Sequence, residues 1–260
     1  MASEKTSYPP VDDLHAMPPY TVLALVGKKV IRPGGRQSTE EIFRLADLRP
    51  GQRVLEVGCG VGTTAIEMVQ RFDCQVTAID IDNVMLQRAR ANVRAAGLDM
   101  KVTIQEADVE RLPFDDQTFD RVIIEAVLSF VDQPHAIQQV LRVCRDGGRV
   151  VDHEFKWLHE PPADIRHRFE TEVCPRAHWG DWEEIYRCAG LQDVEAVSGV
   201  SKLLTPPGLI RDEGIVRTFA IVGRLISHRQ YRRRIVRLMR FMRTAYPYLR
   251  WTVVGGTKAS

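Results

Sequence analysis

Apolar and polar positions along the middle of the chain switch repeatedly between a strand pattern and a helix pattern. Short apolar runs, as over residues 54–57 and 75–79, are typical of buried parallel strands. Amphipathic helical stretches separate these runs, and the alternation continues from residue 53 to residue 154. Such regular alternation predicts right-handed βαβ units and therefore an α/β fold built on a parallel sheet.

Three glycines follow the first of these strands directly. Gly58, Gly60 and Gly62 stand on alternate positions, and a helical pattern starts at Thr63. Glycine permits a positive φ and lets a ligand approach the backbone closely, and the free N–H groups of a helix start favour polar or anionic groups. Asp80, at the end of the second strand, is placed to accept hydrogen bonds from ribose hydroxyls. Together these features predict a small ligand that carries a nucleoside.

Two nucleoside ligands fit this turn to different degrees. From Gly60 the chain formally matches the dinucleotide pattern G-x-G-x-x-A, but two residues separate that glycine from the strand. Glu56 lies inside the apolar strand, where a carboxylate is costly to bury without a cationic or donor partner. S-adenosyl-L-methionine, which joins adenosine to a sulfonium and an ammonium group, would supply one. The alternative partners are nearby arginines, Arg53 or Arg121.

The glycine segment resembles motif I of the class I S-adenosylmethionine-dependent methyltransferases, and further matching segments follow in the family's order. The matching segments are VLEVGCGVG (54–62), AIDID (78–82), EADVERLPF (106–114), FDRVII (119–124) and LRVCRDGGRV (141–150). The resemblance implies a Rossmann-like seven-stranded sheet flanked by helices, and is greatest to the branch acting on quinones, lipids and secondary metabolites. It covers roughly residues 33–155 and thins beyond residue 200.

The pattern along the sequence divides the chain into four segments. Residues 1–32 are expected to form a flexible N-terminal arm or lid with a short helix, and residues 33–200 the S-adenosylmethionine-binding core. Residues 201–247 are expected to form a basic helical insertion that covers the substrate. Residues 248–260 would supply the final strand and the tail.

The resemblance implies specific roles at the cofactor site. Glu56 and the main chain around Cys59 would hold the methionine tail, Asp80 the ribose, and Asp108 the adenine amino group. Glu125 would lie beside the methyl donor. The implied cofactor residues are Glu56, Gly58, Cys59, Gly60, Gly62, Asp80, Ile81, Asp108, Val109 and Glu125.

Methyl transfer from a sulfonium needs an aligned nucleophile, and a general base only when that nucleophile holds a proton. Glu125 and His153 are the candidate catalytic residues, since both lie where strands of the sheet end. His153 is the stronger base candidate because its unperturbed pKa lies near neutrality, and catalysis by positioning alone is the alternative. His178, Trp179 and Trp182 are candidates for the acceptor pocket.

Charge is distributed unevenly along the chain. Residues 214–260 hold ten Arg, one Lys and no acid, a charge of +11, so the rest of the chain carries +2 − 11 = −9. This asymmetry indicates a basic surface with an anionic neighbour, either a substrate or a membrane surface. The alternative is a helix packed on the core with a solvated basic face. An RNA or protein methyltransferase that uses the basic region is the alternative function. Nucleic acid is disfavoured because residues 125–128 read EAVL rather than an Asn-Pro-Pro-Tyr-like loop.

The sequence gives less support to an oxidoreductase, to a metal site and to a secreted location. An NAD(P)-dependent oxidoreductase would need a Tyr-x-x-x-Lys or equivalent after the fourth strand, and the sequence has none there. The five cysteines show no C-x-x-C or zinc-like spacing, which predicts reduced thiols and no metal site. With no signal sequence evident at the N-terminus, a cytoplasmic location is expected.

Overall fold

A computed structural model describes residues 17–259 and contains a seven-stranded sheet with the strand order β3-β2-β1-β4-β5-β7-β6. The strands are β1 (Arg53–Val57), β2 (Gln75–Asp80), β3 (Val102–Glu106), β4 (Phe119–Glu125), β5 (Cys144–Trp157), β6 (Leu191–Gly199) and β7 (Leu249–Lys258). The first five strands are parallel, whereas β7 runs antiparallel between β5 and β6. The seven-stranded α/β sheet that the sequence predicts is confirmed.

Helices cover both faces of this sheet. They are α1 (Pro19–Leu25), α2 (Arg36–Ala46), α3 (Thr63–Phe72), α4 (Asn83–Ala95), α5 (Gln133–Val143), α6 (Ala163–Glu172), α7 (Trp182–Cys188), α8 (Pro206–Ser227) and α9 (Arg229–Ala245). Side chains of α2, α3 and α4 form one core with Val54, and those of α5 and α7 form a second core with Leu55. Successive residues of β1 therefore point to opposite layers, as the pleat of a strand requires.

The start of α2 is set by a glycine and not by a hydroxyl side chain. Ser38 and Thr39 are natural N-cap residues, but the helix begins at Arg36 after Gly35, which has a φ of +61°. The Ser38 and Thr39 hydroxyls lie inside the first turn and donate to the Gly35 carbonyl at 2.9 and 3.2 Å. Only a residue that tolerates the left-handed region fits at the cap, so the glycine sets the boundary.

Helices α1, α8 and α9 pack together at one end of the molecule. Val22, Ile221, Tyr231 and Ile235 are buried in their shared cluster. Within the arm predicted over residues 1–32, positions 17–32 thus include a packed helix, and positions 1–16 lie outside the described residues. No helix among residues 17–259 is long and apolar enough to cross a membrane.

Candidate active site

A cavity opens at the carboxyl ends of β1, β2 and β4, where an open α/β sheet binds ligands. Its floor consists of the glycine turn and of the loops that follow these strands. Eight residues expected at the cofactor line the cavity: Gly58, Cys59, Gly60, Asp80, Ile81, Asp108, Val109 and Glu125. The other two, Glu56 and Gly62, lie directly beneath the turn and at the start of α3.

The glycine turn is held against β2 by its main chain. The N–H groups of Gly58 and Cys59 both donate to the Ile79 carbonyl at 2.9 Å, and the Gly60 N–H donates to Asp80 Oδ2 at 2.9 Å. Gly60 has a φ of +52°, and a Cβ built on it would meet nothing within 4 Å. The turn therefore leaves open space beside its backbone, where a ligand can lie against the chain.

Asp80 and Ile81 present opposite chemistry to the cavity. The second oxygen of Asp80, Oδ1, accepts from the Asp82 N–H at 2.9 Å. Burial raises the pKa of Asp80, and the hydrogen bonds from Asp82 and Gly60 oppose that rise. Ile81 is 63% exposed although it is large and apolar. An accepting carboxylate beside an exposed aliphatic side chain suits a ribose next to a flat base.

Asp108 continues the polar edge of the cavity beyond β3. Its Oδ1 accepts from the Glu110 N–H at 2.9 Å and so caps a short 3-10 turn, Val109–Arg111. The Asp108 side chain is exposed, whereas Val109 is buried. The cap fixes the direction of the carboxylate, and its other oxygen is available to accept from a ligand.

Two acids and one cation meet under the glycine turn. Arg32 Nη1 lies 2.6 Å from Glu125 Oε2 and also donates to Thr64 Oγ1. Glu56 is only 1% exposed, and within residues 17–259 neither Glu56 Oε2 nor Glu125 Oε1 has a hydrogen-bond partner. One guanidinium therefore faces two buried carboxylates, which leaves the site short of one positive charge.

The pKa of Glu56 reflects this imbalance. Burial raises it well above its usual value and the nearby Glu125 raises it further, while Arg32 opposes both effects. The two arginines considered as partners lie elsewhere. The guanidinium carbon of Arg53 lies over the Phe119 ring, 5.7 Å from its centroid. Arg121 donates through Nε to the Ala46 carbonyl at 2.5 Å. The orphaned carboxylate oxygens thus fit a ligand that brings its own positive charge.

The cavity continues from the glycine turn into an apolar compartment under α1 and α9. Tyr20 and Phe130 meet edge to face there, with ring centroids 5.8 Å apart. Burial, with Asp82 and Asp80 nearby, raises the pKa of Tyr20 to about 12, so its hydroxyl stays protonated. The compartment is lined by Tyr20, Leu23, Phe130, Phe155, Cys174, Leu203, Leu204, Leu238 and Met242.

Of the two candidate catalytic residues, Glu125 lines the cavity and His153 does not. His153 is fully buried, its ring lies 6.5 Å from that of Trp251, and neither ring nitrogen has a hydrogen-bond partner among residues 17–259. Burial, with Arg32 nearby, lowers the pKa of His153 to about 3, so the ring is neutral and weakly basic. Only its carbonyl reaches the loop after β4, where it accepts from the Ala126 N–H at 2.7 Å.

The aromatic residues expected at the acceptor pocket support β5 instead of lining the cavity. Trp179 stacks on Trp157 with the ring centroids 4.5 Å apart. Trp182 donates through Nε1 to the Phe155 carbonyl at 2.8 Å, and His178 packs against Trp182. Trp179 also donates through Nε1 to Glu170 Oε1 at 3.1 Å. None of the three residues is in the lining of the cavity, and their role at the acceptor stays a prediction.

Sequence reasoning expected segments 1–32 and 201–247 to cover the site, but it did not identify the individual side chains of these segments that line the cavity. Arg32, Tyr20, Leu203, Leu238 and Met242 all line the cavity. Arg32 carried a usable signal, because it lies in an Ile-Arg-Pro-Gly turn without an acid close by in sequence. An arginine in such a place needs a remote carboxylate if it is buried.

Comparison with known proteins agrees with this geometry. Residues 54–148 match the family described as "Methyltransferase domain". An uncharacterized methyltransferase of Bacillus subtilis, YodH, is 30% identical over 179 residues, which cover 68% of this chain and 76% of that protein. The 27-O-demethylrifamycin SV methyltransferase of Amycolatopsis mediterranei is 36% identical over 124 residues, 47% of this chain and 46% of its own.

A solved structure shows the same fold at low sequence identity. Phosphoethanolamine N-methyltransferase 2 of Haemonchus contortus, in complex with S-adenosyl-L-methionine, superimposes with a TM-score of 0.75 and 20% identity. The match covers 99% of this chain and 59% of that one. The family match, the YodH relative and the shared fold lead to one conclusion: this chain belongs to the class I S-adenosylmethionine-dependent methyltransferases.

Proposed function

We propose that the chain transfers the methyl group of S-adenosylmethionine to a small, apolar acceptor. The observation that carries this proposal is the continuous cavity, which runs from the glycine turn into the compartment lined by Tyr20, Phe155 and Leu238. The acceptor 27-O-demethylrifamycin SV, named for one relative, is likewise a small molecule. Lys29, at the edge of the cavity, supplies a cation for an acceptor that also carries a negative charge.

Each cofactor residue has a proposed role that follows from its surroundings. Glu56 binds the ammonium of the methionine tail, and the main chain at Gly58, Cys59, Gly60 and Gly62 gives the tail room. Asp80 accepts from the ribose, Ile81 covers one face of adenine, and Asp108 with the Val109 N–H binds the adenine edge. When bound, S-adenosylmethionine supplies an electrophilic methyl group on a positively charged sulfur.

We assign catalysis to positioning. Glu125 acts at the site by holding Arg32 and by adding negative charge beside the donor. His153 as general base is the competing hypothesis, and its burial and low pKa count against it. The apolar walls keep water out of the compartment, which prevents hydrolysis of the donor and leaves the acceptor as the nucleophile.

The proposal divides the chain by task. Residues 33–200 bind the cofactor, residues 201–247 act as the lid of the acceptor compartment, and residues 248–260 complete the sheet. Residues 17–32 belong to the site through Tyr20 and Arg32. All five cysteines are free, and we propose a cytoplasmic location because free thiols suit a reducing compartment.

Mass spectrometry tests the proposed function directly. Cell extract is incubated with the protein and deuterium-labelled S-adenosylmethionine, and the small-molecule, RNA and protein fractions are analysed separately. We expect a labelled small molecule that is retained on a reversed-phase column. Label found only in RNA or protein would establish the alternative function instead. The Asp80→Ala variant serves as the control for chemical methylation without enzyme.

A further inference from the structure

The outward face of the second half of α8 is apolar. The helix is kinked at Gly214, where φ is 74° and ψ is 166°. After the kink Ile221 is buried against the fold, whereas five other large apolar side chains are between 41% and 85% exposed: Ile215, Val216, Phe219, Val222 and Ile226. An ordinary surface helix exposes polar residues opposite its buried apolar stripe, whereas this half-helix is apolar on both faces. An exposed apolar patch of this kind marks a contact surface.

The two arginines of this half-helix each contact another part of the fold. Arg217 is paired with Glu213, with Nε and Oε2 3.7 Å apart. Arg224 donates through Nη1 to the Val26 carbonyl at 3.0 Å. Both arginines are themselves partly exposed, and the other exposed positions over residues 215–227 that are not large and apolar are small and uncharged.

The next helix, α9, exposes a basic face. A cleft on this face has five arginines in its lining, together with Val236, Phe241 and Thr244: Arg168, Arg232, Arg233, Arg237 and Arg240. Among the described residues, Glu172 is the acid paired with the cleft, 3.2 Å from Arg168 and 3.5 Å from Arg237. Five guanidinium groups against one carboxylate leave a strong positive potential, which attracts anionic groups.

The apolar face and the basic cleft belong to one surface. Helices α8 and α9 meet at His228, and Arg232 Nη1 lies 3.5 Å from the carbonyl of Ile226. Ile226 is the last large side chain of the apolar face, and Arg232 is the first arginine of the cleft. Apolar side chains next to a row of arginines are the pattern of helices that lie in a membrane interface.

We propose that this α8–α9 surface, formed by the apolar face of residues 215–227 and the arginine cleft, docks the chain on a membrane that contains anionic lipids. Phe219, Ile226 and their neighbours enter the boundary between headgroups and acyl chains. The cleft arginines bind lipid phosphates at the depth of the headgroups. The contact is peripheral, because no helix in residues 17–259 could cross the bilayer.

Charge favours this partner over the alternatives. A symmetric contact with a second copy would bring the same patch of each chain together, and residues 214–260 carry +11 in each copy. Nucleic acid would neutralise the arginines but offers no hydrocarbon for the apolar face. An anionic bilayer satisfies both halves of the surface at once.

The inner face of α9 connects the proposed docking surface to the acceptor compartment. Leu238 and Met242, on the same helix as the cleft arginines, line the acceptor compartment. Docking through the outer face therefore holds the compartment next to a lipid phase, from which an apolar acceptor can partition. The docking itself does not depend on methyl transfer, so the two can be tested apart.

Vesicle flotation tests the proposal with the full chain. One set of vesicles is pure phosphatidylcholine and the other also contains phosphatidylglycerol. We expect binding to the anionic vesicles alone, and weaker binding as salt is added. Arg233→Gln with Arg240→Gln should weaken binding about 25-fold, at about fivefold per arginine. Phe219→Gln and Ile226→Gln should each weaken it about tenfold.

Matched variants separate docking from folding and catalysis. Arg94→Gln and Met100→Gln change an exposed arginine and an exposed apolar residue elsewhere, and should bind vesicles as the unchanged protein does. Calorimetric S-adenosylmethionine affinity should be equal in all variants. Equal binding to neutral and anionic vesicles, or none, would overturn the proposal. So would light scattering in which Phe219→Gln converts a dimer into a monomer without affecting flotation.

Discussion

Arg32 and Glu125 meet at 2.6 Å although 93 residues separate them in the chain. Their contact joins the segment after α1 to the end of β4, directly beside the buried carboxylate of Glu56. Because Arg32 is the one cation that faces both acids, the second acid can ionise when the cofactor brings a further positive charge. This relationship underlies the proposed binding mode and the predictions on Glu56, Asp80 and Glu125.

Replacing Asp80 with Asn should weaken S-adenosylmethionine binding about 10- to 100-fold. The carboxylate already accepts from Gly60 and Asp82, one at each oxygen. An amide replaces one of these oxygens with an NH2 donor, which then faces a backbone N–H and removes an acceptor from the ribose. Calorimetric titration measures the change. Asp116→Asn, at an exposed carboxylate away from the cavity, is the matched control. An unchanged affinity in Asp80→Asn would argue against the ribose contact.

Ile81→Ala should lower the affinity for S-adenosylmethionine about fivefold without changing the stability of the chain. The side chain is 63% exposed, so truncation removes little packing from the fold, whereas a bound adenine would lose apolar contact. Calorimetry gives the affinity, and urea unfolding gives the stability. Met100→Ala, at a residue 96% exposed, should alter neither quantity. A loss of stability without a loss of affinity would contradict the assigned role.

His153→Gln should keep kcat within about threefold, because the buried ring of His153 does not line the cavity. The loss of a general base would instead lower kcat at least about a hundredfold. Glu125→Gln should instead raise the KM for S-adenosylmethionine more than it lowers kcat, since it changes the partner of Arg32. Circular dichroism checks that both variants fold. A hundredfold fall in kcat for folded His153→Gln, with an unchanged KM, would show that His153 is a general base and would contradict catalysis by positioning alone.

Glu154 should make the chain less stable as the pH rises from about 4.5 to about 7. Its carboxylate accepts from the Leu128 N–H at 2.7 Å and the Ser129 hydroxyl at 2.8 Å. Burial raises its pKa from 4.5 to about 7. Within that window the folded chain keeps a proton that the unfolded chain has released, so folding is favoured at the acid end, by about 2 kcal/mol.

Urea unfolding at about pH 4.5 and at about pH 7 tests whether Glu154 lowers the free energy of unfolding as the pH rises. Glu154→Gln cannot titrate, so its free energy of unfolding should fall less than that of the unchanged chain as the pH rises. Glu160→Gln, at an acid on the surface, should keep the original slope. Equal slopes for Glu154→Gln and the unchanged chain would mean that Glu154 is ionised in the fold throughout.

Local pattern made the core of the fold predictable. The apolar run and glycines of residues 54–62 place β1 and its turn, and the run over residues 75–79 places β2. The family, the fold and the cofactor are confirmed by the comparisons. The strands and the glycine turn depend on period and spacing, which a single sequence records directly, whereas the family was identified from the resemblance of its motifs.

Side-chain direction and distant partners were not predictable. The sequence places His153 at a strand end but does not say that its ring packs near Trp251, away from the cavity. Arg32 finds its acid on β4 only when the sheet has formed. The insertion appeared as one basic amphipathic helix, whereas the exposed face of α8 became visible only when its packing against α1 was known. The roles of the site residues stay predictions.

Proton release on binding S-adenosylmethionine tests the central claim, that the cofactor's positive charge completes the site at Glu56. Burial and Glu125 raise the pKa of Glu56, so an arriving ammonium should ionise it and expel a proton. Calorimetric titrations in two buffers of different ionisation enthalpy count that proton. We expect release by the unchanged chain and none by Glu56→Gln, which should also bind more weakly. Equal proton release by both proteins would contradict the claim.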